Sequence, residues 1–207
     1  MKKLFLIFTA MLITTMGMYS QELTEIKLNA PDKTRGSAVM KALSDRKSVR
    51  EYAEKEISLQ DLSDLLWAAV GVNRPDGKRT APTAVNAQEI DIYVVRADGA
   101  YVYDATAHSL MPVAKGDFRK AVAGGQDFVN SAPLCLIMVA NLEKMDNPLI
   151  AAIDAGIAGQ NINIFCSGVG LCTVPRASWD KEELKKVLKL SDRQQIMLNN
   201  PVGYPKE

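Results

Sequence analysis

The chain is poor in the groups that most hydrolytic and metal-dependent chemistry needs. It has one histidine, His108, in 207 residues. A histidine-dependent triad is therefore excluded beyond what His108 alone could do, and no His/Cys cluster has the spacing of a zinc site. The cysteines are three, Cys135, Cys166 and Cys172. An odd number cannot all pair within one chain. Each lies among apolar residues, so all three are expected as buried free thiols; a Cys166–Cys172 redox pair is the alternative, without the usual spacing. There is no basic block, and lysine plus arginine (25) nearly balance aspartate plus glutamate (24), which gives no reason to expect nucleic acid as a partner. Regular strand–helix–strand alternation and internal repeats are missing as well.

What is present first is an address. Met1-Lys2-Lys3 is a short positive start, Leu4 to Met18 is mostly apolar, and Tyr19-Ser20-Gln21 offers a cleavage point. The run is short for a membrane span and carries Thr9, Thr14 and Thr15. Residues 1–20 are expected to be a signal peptide, with export to the periplasm and no stable membrane anchor. Losing Lys2 and Lys3 lowers the basic count from 25 to 23 against 24 acids. Residues 21–36 are polar and read as an N-terminal arm, leaving 37–207 as one domain. At 47% hydrophobic and 24% charged, its composition is that of a globular protein.

The pattern along the chain predicts a mixed α+β domain. A short helix begins between Gly36 and Ser44. A second follows Glu56, capped by Ser58 with Asp61 at the reciprocal position, with Leu62, Leu65, Leu66 and Ala69 as its apolar stripe and Gly71 as its stop. Residues 73–88 read as a loop. Ile90–Val95 and Tyr101–Tyr103 read as a hairpin about Ala97-Asp98-Gly99. Asp117–Val122 is a short helix broken at Gly124-Gly125. Pro133–Ala140 is a buried central strand, and Pro148–Gly168 a buried helix. Asp180 caps a last helix, and a final strand follows near Ile196–Leu198. Trp67 is expected in the core and His108 on the surface, and Trp179 near the ligand or packed at a helix entry.

Three segments have the residues for ligand chemistry. In an extended Arg46-Lys47-Ser48-Val49-Arg50, the side chains of Arg46, Ser48 and Arg50 share one side and would cradle a phosphate monoester; a solvated basic patch explains the same spacing. Pro82-Thr83-Ala84-Val85-Asn86-Ala87-Gln88 has small residues that let backbone approach a flat ligand, and two amides for a heterocycle edge; an ordinary loop explains it too. The third runs from Asp154-Ala155-Gly156 through Gln160-Asn161 and Gly168-Val169-Gly170-Leu171 to Pro175-Arg176-Ala177-Ser178. There a helix ends at glycines and exposes backbone N–H groups.

In residues and order, these segments resemble the flavin-dependent nitroreductases. Phe128-Val129, Ala132-Pro133 and the terminal Pro201-Val202-Gly203-Tyr204-Pro205 fit as well, so the likeness spans about residues 37–207. The resemblance implies an α+β fold with a central mixed or antiparallel sheet flanked by helices, in an interlocked homodimer with FMN at the subunit interface. It implies that Arg46, Lys47, Ser48 and Arg50 hold the phosphate with help from Lys206. Pro82, Thr83, Ala84, Asn86 and Gln88 would line the ring from the other subunit, and Pro175, Arg176, Ala177 and Ser178 would lie near its reactive edge. No catalytic side chain and no metal is implied, because the flavin performs the chemistry. The expected activity is a ping-pong oxidoreductase passing electrons to nitroaromatic or quinone-like acceptors, with NAD(P)H or a redox partner as donor. An FMN-dependent dehydrogenase or oxidase of a heterocyclic or peptide substrate, and a non-catalytic flavin-binding protein, are the alternatives. The sequence departs from the family pattern at Thr83 and Ala84, lacks a Glu-Gly pair after Arg176, and ends at Glu207, soon after Gly203-Tyr204-Pro205.

Overall fold

The fold is described from a computed structural model covering residues 22–206. The expected signal peptide, residues 1–20, lies outside the described residues. Seven strands form one sheet in the order β1-β4-β3-β2-β5-β7-β6, and every strand pair is antiparallel.

In the interior of the sheet β5 (Leu134–Asn141) is flanked by β2 (Ile90–Arg96) and the long β7 (Gln194–Gly203). Alternation sorts their side chains. Ile92, Val94, Leu136 and Met138 enter one core, while Tyr93, Val95, Cys135, Ile137 and Val139 enter the other. Both faces of β5 are covered, which is why its sequence is continuously apolar. The first core lies under α2 (Leu59–Val70) and α4 (Pro148–Val169), and the second under α3 (Arg119–Ala123) and α5 (Lys181–Val187). The helix α1 (Val39–Asp45) packs against α4.

The helix starts are those the sequence spells out. Ser58 accepts the Asp61 amide at 3.0 Å, and Asp180 accepts that of Glu183 at 3.0 Å. Asn147 caps α4, with Pro148 in its first turn. The stop at Gly71 works differently from expectation. Its φ of −68° is open to any residue, but a Cβ there would lie 2.4 Å from the Trp67 ring. Trp67 is only half-buried and folds over the helix end, donating Nε1–H to Val72 O at 3.0 Å; the expectation of a core tryptophan is corrected.

Four strand assignments exceed the sequence reading. The hairpin continues from β3 (Gly99–Asp104) into a third strand, β4 (Ser109–Lys115). On its outer edge pairs β1 (Ile26–Lys27), so the segment read as an arm is part of the sheet. The two-residue β6 (Cys172–Thr173) closes the other edge, and β7 runs well beyond Ile196–Leu198. The arm is fastened further on: Arg35 pairs with Asp61 at 2.6 Å and Asp64 at 2.8 Å. Burial pushes Asp61 up, but hydrogen bonds from Tyr204, Ser58 and Arg35 outweigh it and hold its carboxyl below the usual range. His108, expected at the surface, joins in. It is half-buried, with Nδ1 2.8 Å from the Tyr103 hydroxyl and Nε2 2.9 Å from Asn29 O, and burial lowers its pKa.

All three thiols are free and buried. Burial pushes Cys135 up to about 12 and Cys172 up to about 11. A neutral aromatic disulfide reagent should therefore label none of them in the folded protein and all of them in denaturant. Rapid native labelling of one thiol contradicts this packing.

Candidate functional site

The cationic segment leaves the end of α1 and is laid on the sheet edge. Val49 N–H donates to Thr173 O at 3.1 Å, and Ser48 pairs with Thr173 as a parallel bridge. The C-terminal tail closes over it, with Ala53 N–H donating to Tyr204 O at 2.9 Å and Tyr52 bridged to Pro205. These contacts surround a cavity of about 240 Å³ lined by Arg46, Lys47, Asn163, Cys172, Thr173 and Pro205 among others. Arg46, Lys47 and Ser48 are exposed, and their side chains make no hydrogen bond or ion pair among the described residues. Lys206 follows Pro205 at the rim and is exposed. A cation-rich rim with uncommitted donors suits a phosphate. Arg50 departs from the simple alternation: its guanidinium lies 6.0 Å from the Phe128 ring rather than in the cavity.

Pro175-Arg176-Ala177-Ser178 follows β6 after Val174. Ala177 and Ser178, with Trp179, line a wider open cavity of about 640 Å³ that also contains Lys181, Gln194 and Gln195. Arg176 turns the other way. Its guanidinium is buried and donates to Asn199 Oδ1 at 2.7 Å, Ala123 O at 2.7 Å, Val122 O at 3.0 Å and Gln126 Oε1 at 3.0 Å. Its backbone exchanges hydrogen bonds with Asn199. Burial lowers its pKa. The Arg176 side chain thus shapes the loop from inside and is not free to hold a ligand, unlike its neighbours Ala177 and Ser178.

The structure does not bring Pro82–Gln88 to these groups. Ala84 N–H donates to Asp154 Oδ2 at 2.8 Å, near the start of α4, whereas α1 is tied to the far end by Ser167 Oγ–H donating to Ala42 O at 2.7 Å. Thirteen residues of helix separate the two ties, about 20 Å along the axis. The loop itself is strained. Val85 (φ 48°), Asn86 (φ 56°) and Gln88 (φ 50°) are all left-handed, and Val85 is β-branched and 90% exposed. Such a conformation costs about 1–3 kcal/mol per residue and persists only where its surroundings impose it. Thr83 Oγ1 accepting the Gln88 amide at 2.9 Å and Gln88 Nε2–H donating to Gly77 O at 3.1 Å are part of that frame.

The helix α4, expected to be buried, is buried on one side only. It is apolar over most of its length, and Leu149 (71% exposed) and Ile153 (57%) face outward. Gly156 continues that stripe, and a Cβ there would touch nothing. Sequence reasoning missed Glu89, fully buried beside the strained loop. The available signal was a carboxylate joined directly to the apolar strand Ile90–Val95.

An antiparallel sheet layered between helices thus carries a cationic cradle at one edge and an amide-rich loop fixed far from it. The sequence profile of the Nitroreductase family matches residues 43–204, and the chain belongs to that family. A protein of Methanocaldococcus jannaschii assigned as a nitroreductase is 28% identical over 204 residues, covering 91% of this chain and 96% of that one. The FMN reductase (NAD(P)H) of Bacillus subtilis is 22% identical over 81% of this chain and 66% of its own length. Among solved structures, a Ralstonia eutropha protein assigned as a nitroreductase superposes with a TM-score of 0.83 at 35% identity, covering 89% of this chain and 91% of that one. One from Desulfovibrio desulfuricans, solved in complex with FMN, shares the fold with a TM-score of 0.63 at 21% identity, over 83% of this chain and 88% of that one.

Proposed function

We propose that this nitroreductase-family oxidoreductase binds FMN between two copies of the chain and passes electrons in a ping-pong cycle to nitroaromatic or quinone-like acceptors. The carrying observation is the separation along α4. One protomer holds the cationic cradle and the amide-rich loop about 20 Å apart, too far for one flavin to use both. Antiparallel pairing of two α4 helices about the exposed Gln160, midway between the two ties, packs Leu149, Ile153 and Gly156 of each protomer against the partner's later turns and brings the loop of one protomer to the cradle of the other. The open apolar stripe on α4 is then an interface rather than a solvated surface.

Bound FMN would supply the redox chemistry. The chain supplies the rest. Arg46, Lys47 and Ser48, with Lys206 at the rim and Arg50 turned in from Phe128, neutralise and orient the phosphate. Pro82, Thr83, Ala84, Asn86 and Gln88 lie along the ring from the partner subunit. Pro175, Ala177 and Ser178 offer backbone groups at its edge, on a loop stiffened from inside by Arg176. The cavity beyond Ala177 and Ser178 leaves room for donor and acceptor in turn. Export to the periplasm belongs to the same proposal, and there NAD(P)H or a redox partner is the electron source.

Purified protein starting at Gln21, incubated with FMN and freed of excess, should retain the blue and near-ultraviolet flavin bands. A folded, colourless product overturns the proposal. Arg46→Ala and Arg50→Ala should each weaken FMN binding by about 1.5–3 kcal/mol. Unchanged affinity in both variants removes the phosphate assignment. Parallel reciprocal plots in steady state are the expected kinetic signature, and intersecting ones refute the ping-pong cycle.

A further inference from the structure

Glu89, at the head of β2, is fully enclosed, yet neither of its carboxyl oxygens meets a hydrogen-bond donor. The group facing it is a second carboxyl, Asp154 of α4, itself 5% exposed. Asp154 is already engaged on the other side, where its Oδ2 holds the Ala84 amide at 2.8 Å. Ala84 opens the left-handed stretch Val85-Asn86, whose φ angles of 48° and 56° need an external constraint. A buried carboxyl without a donor is costly, and two facing carboxylates repel. One proton between them turns the repulsion into a hydrogen bond.

We propose that Glu89 is a positioning residue. Protonated, it donates to Asp154, and through Asp154 it fixes the Ala84 amide and the Val85-Asn86 turn that faces the partner subunit's flavin. This rests on the flavin reading above, but the link from Glu89 to Ala84 is internal to one chain.

The surroundings support a neutral Glu89. Burial above all, and then the Asp154 carboxyl, push it above the ordinary carboxylate range, against the opposing Glu89 backbone N–H and, more weakly, Lys144. Lys144 reaches in from the connection between β5 and α4, with its Nζ–H donating to Gln88 O at 3.3 Å. Asp91 on β2 and Arg79 in the preceding loop complete the charged groups nearby, and Asp91 is likewise raised by burial. The sign follows. Because the folded value is raised, the proton is present on the acid side. It is lost as pH climbs through that value, and the loop loosens on the alkaline side. Dependence on an ordinary salt-bridged carboxylate would run the other way.

The test compares wild type with Glu89→Gln from about pH 6 to about pH 9. Two quantities are read: FMN affinity by quenching of flavin fluorescence, and the exchange protection of the Ala84 amide in flavin-free protein. Glutamine keeps a donor toward Asp154 and cannot titrate. Wild type should lose about tenfold in both quantities toward alkaline pH, and the glutamine variant less than about twofold. Identical pH courses in the two proteins overturn the proposal. If neither protein binds FMN but Ala84 protection separates as expected, the Glu89 link stands and the flavin reading falls. Asp154→Asn serves if the first variant does not fold. Its amide can donate to an ionised Glu89 while its oxygen accepts from Ala84, so the alkaline loss of protection should vanish; its persistence refutes the link.

Discussion

Arg176→Met should destabilise the folded protein by about 3–5 kcal/mol, read as a lower urea midpoint at unchanged slope. The size follows from what is left behind. Methionine fills much of the same volume but donates nothing. Asn199 Oδ1, Ala123 O, Val122 O and Gln126 Oε1 then lose the guanidinium that serves all four. Val122 O, Ala123 O and Asn199 Oδ1 are buried acceptors that cost about 1–3 kcal/mol each without a donor, the exposed Gln126 turns to water, and partial relaxation keeps the sum below the full total. Those acceptors belong to three elements: Val122 and Ala123 to α3, Gln126 to the turn after it, and Asn199 to β7. Arg176 is thus the pin between the β6 exit loop and the second core. Arg176→Lys should recover only part of the loss, since one ammonium cannot match a planar fork over four acceptors. A loss below about 1 kcal/mol for the methionine variant would mean that the pin is dispensable.

The same residue shows where sequence reading stops. A Pro-Arg-Ala-Ser stretch after a glycine-rich helix end places a loop correctly, and Ala177 and Ser178 do line an open cavity. Nothing local announces that the arginine turns inward, because its partners lie 23 to 54 residues away. Capping is legible for the opposite reason. Ser58, Asn147 and Asp180 bond amides within three residues, so the sequence contains both partners. The central strand is legible too, since burial on both faces leaves a continuous apolar signature. The edge strands β1 and β6 are two residues each, too short for any periodicity, and exist only because β4 and β7 offer them a ladder. Within the candidate site, the cationic segment and the amide-rich loop were visible from residue types. Their distance apart was not, because it is set by the length of α4 rather than by either segment. Glu89 and Asp154 show the same limit, since a shared proton is a property of a contact between two elements.

Ile153→Glu should abolish both self-association and FMN binding while leaving the fold of the single chain intact. Ile153 is 57% exposed on the outward stripe of α4, between Leu149 and the open Gly156, and contributes little to its own protomer's core. Glutamate there costs the isolated chain little, since surface substitutions away from special features stay within about 0.5 kcal/mol. Across a two-fold contact centred near Gln160, the Ile153 stripe packs against the later turns of the partner's α4. Each glutamate would then be buried without a partner in an apolar seam, at a cost of several kcal/mol that a mid-sized interface cannot absorb. Loss of FMN follows from geometry rather than from contact. Ile153 has no part in the cradle, but without the second copy the Pro82–Gln88 loop stays about 20 Å from Arg46 and Lys47. Sedimentation should show a dimer for the parent chain and a monomer for the variant, with an unchanged far-ultraviolet circular dichroism spectrum and no retained flavin absorbance. A variant that is monomeric and still yellow would show that one chain holds the flavin alone, and the shared site would have to be abandoned. A variant that remains dimeric and binds FMN would move the interface off α4, toward the exposed Val39, Met40 and Leu43 of α1.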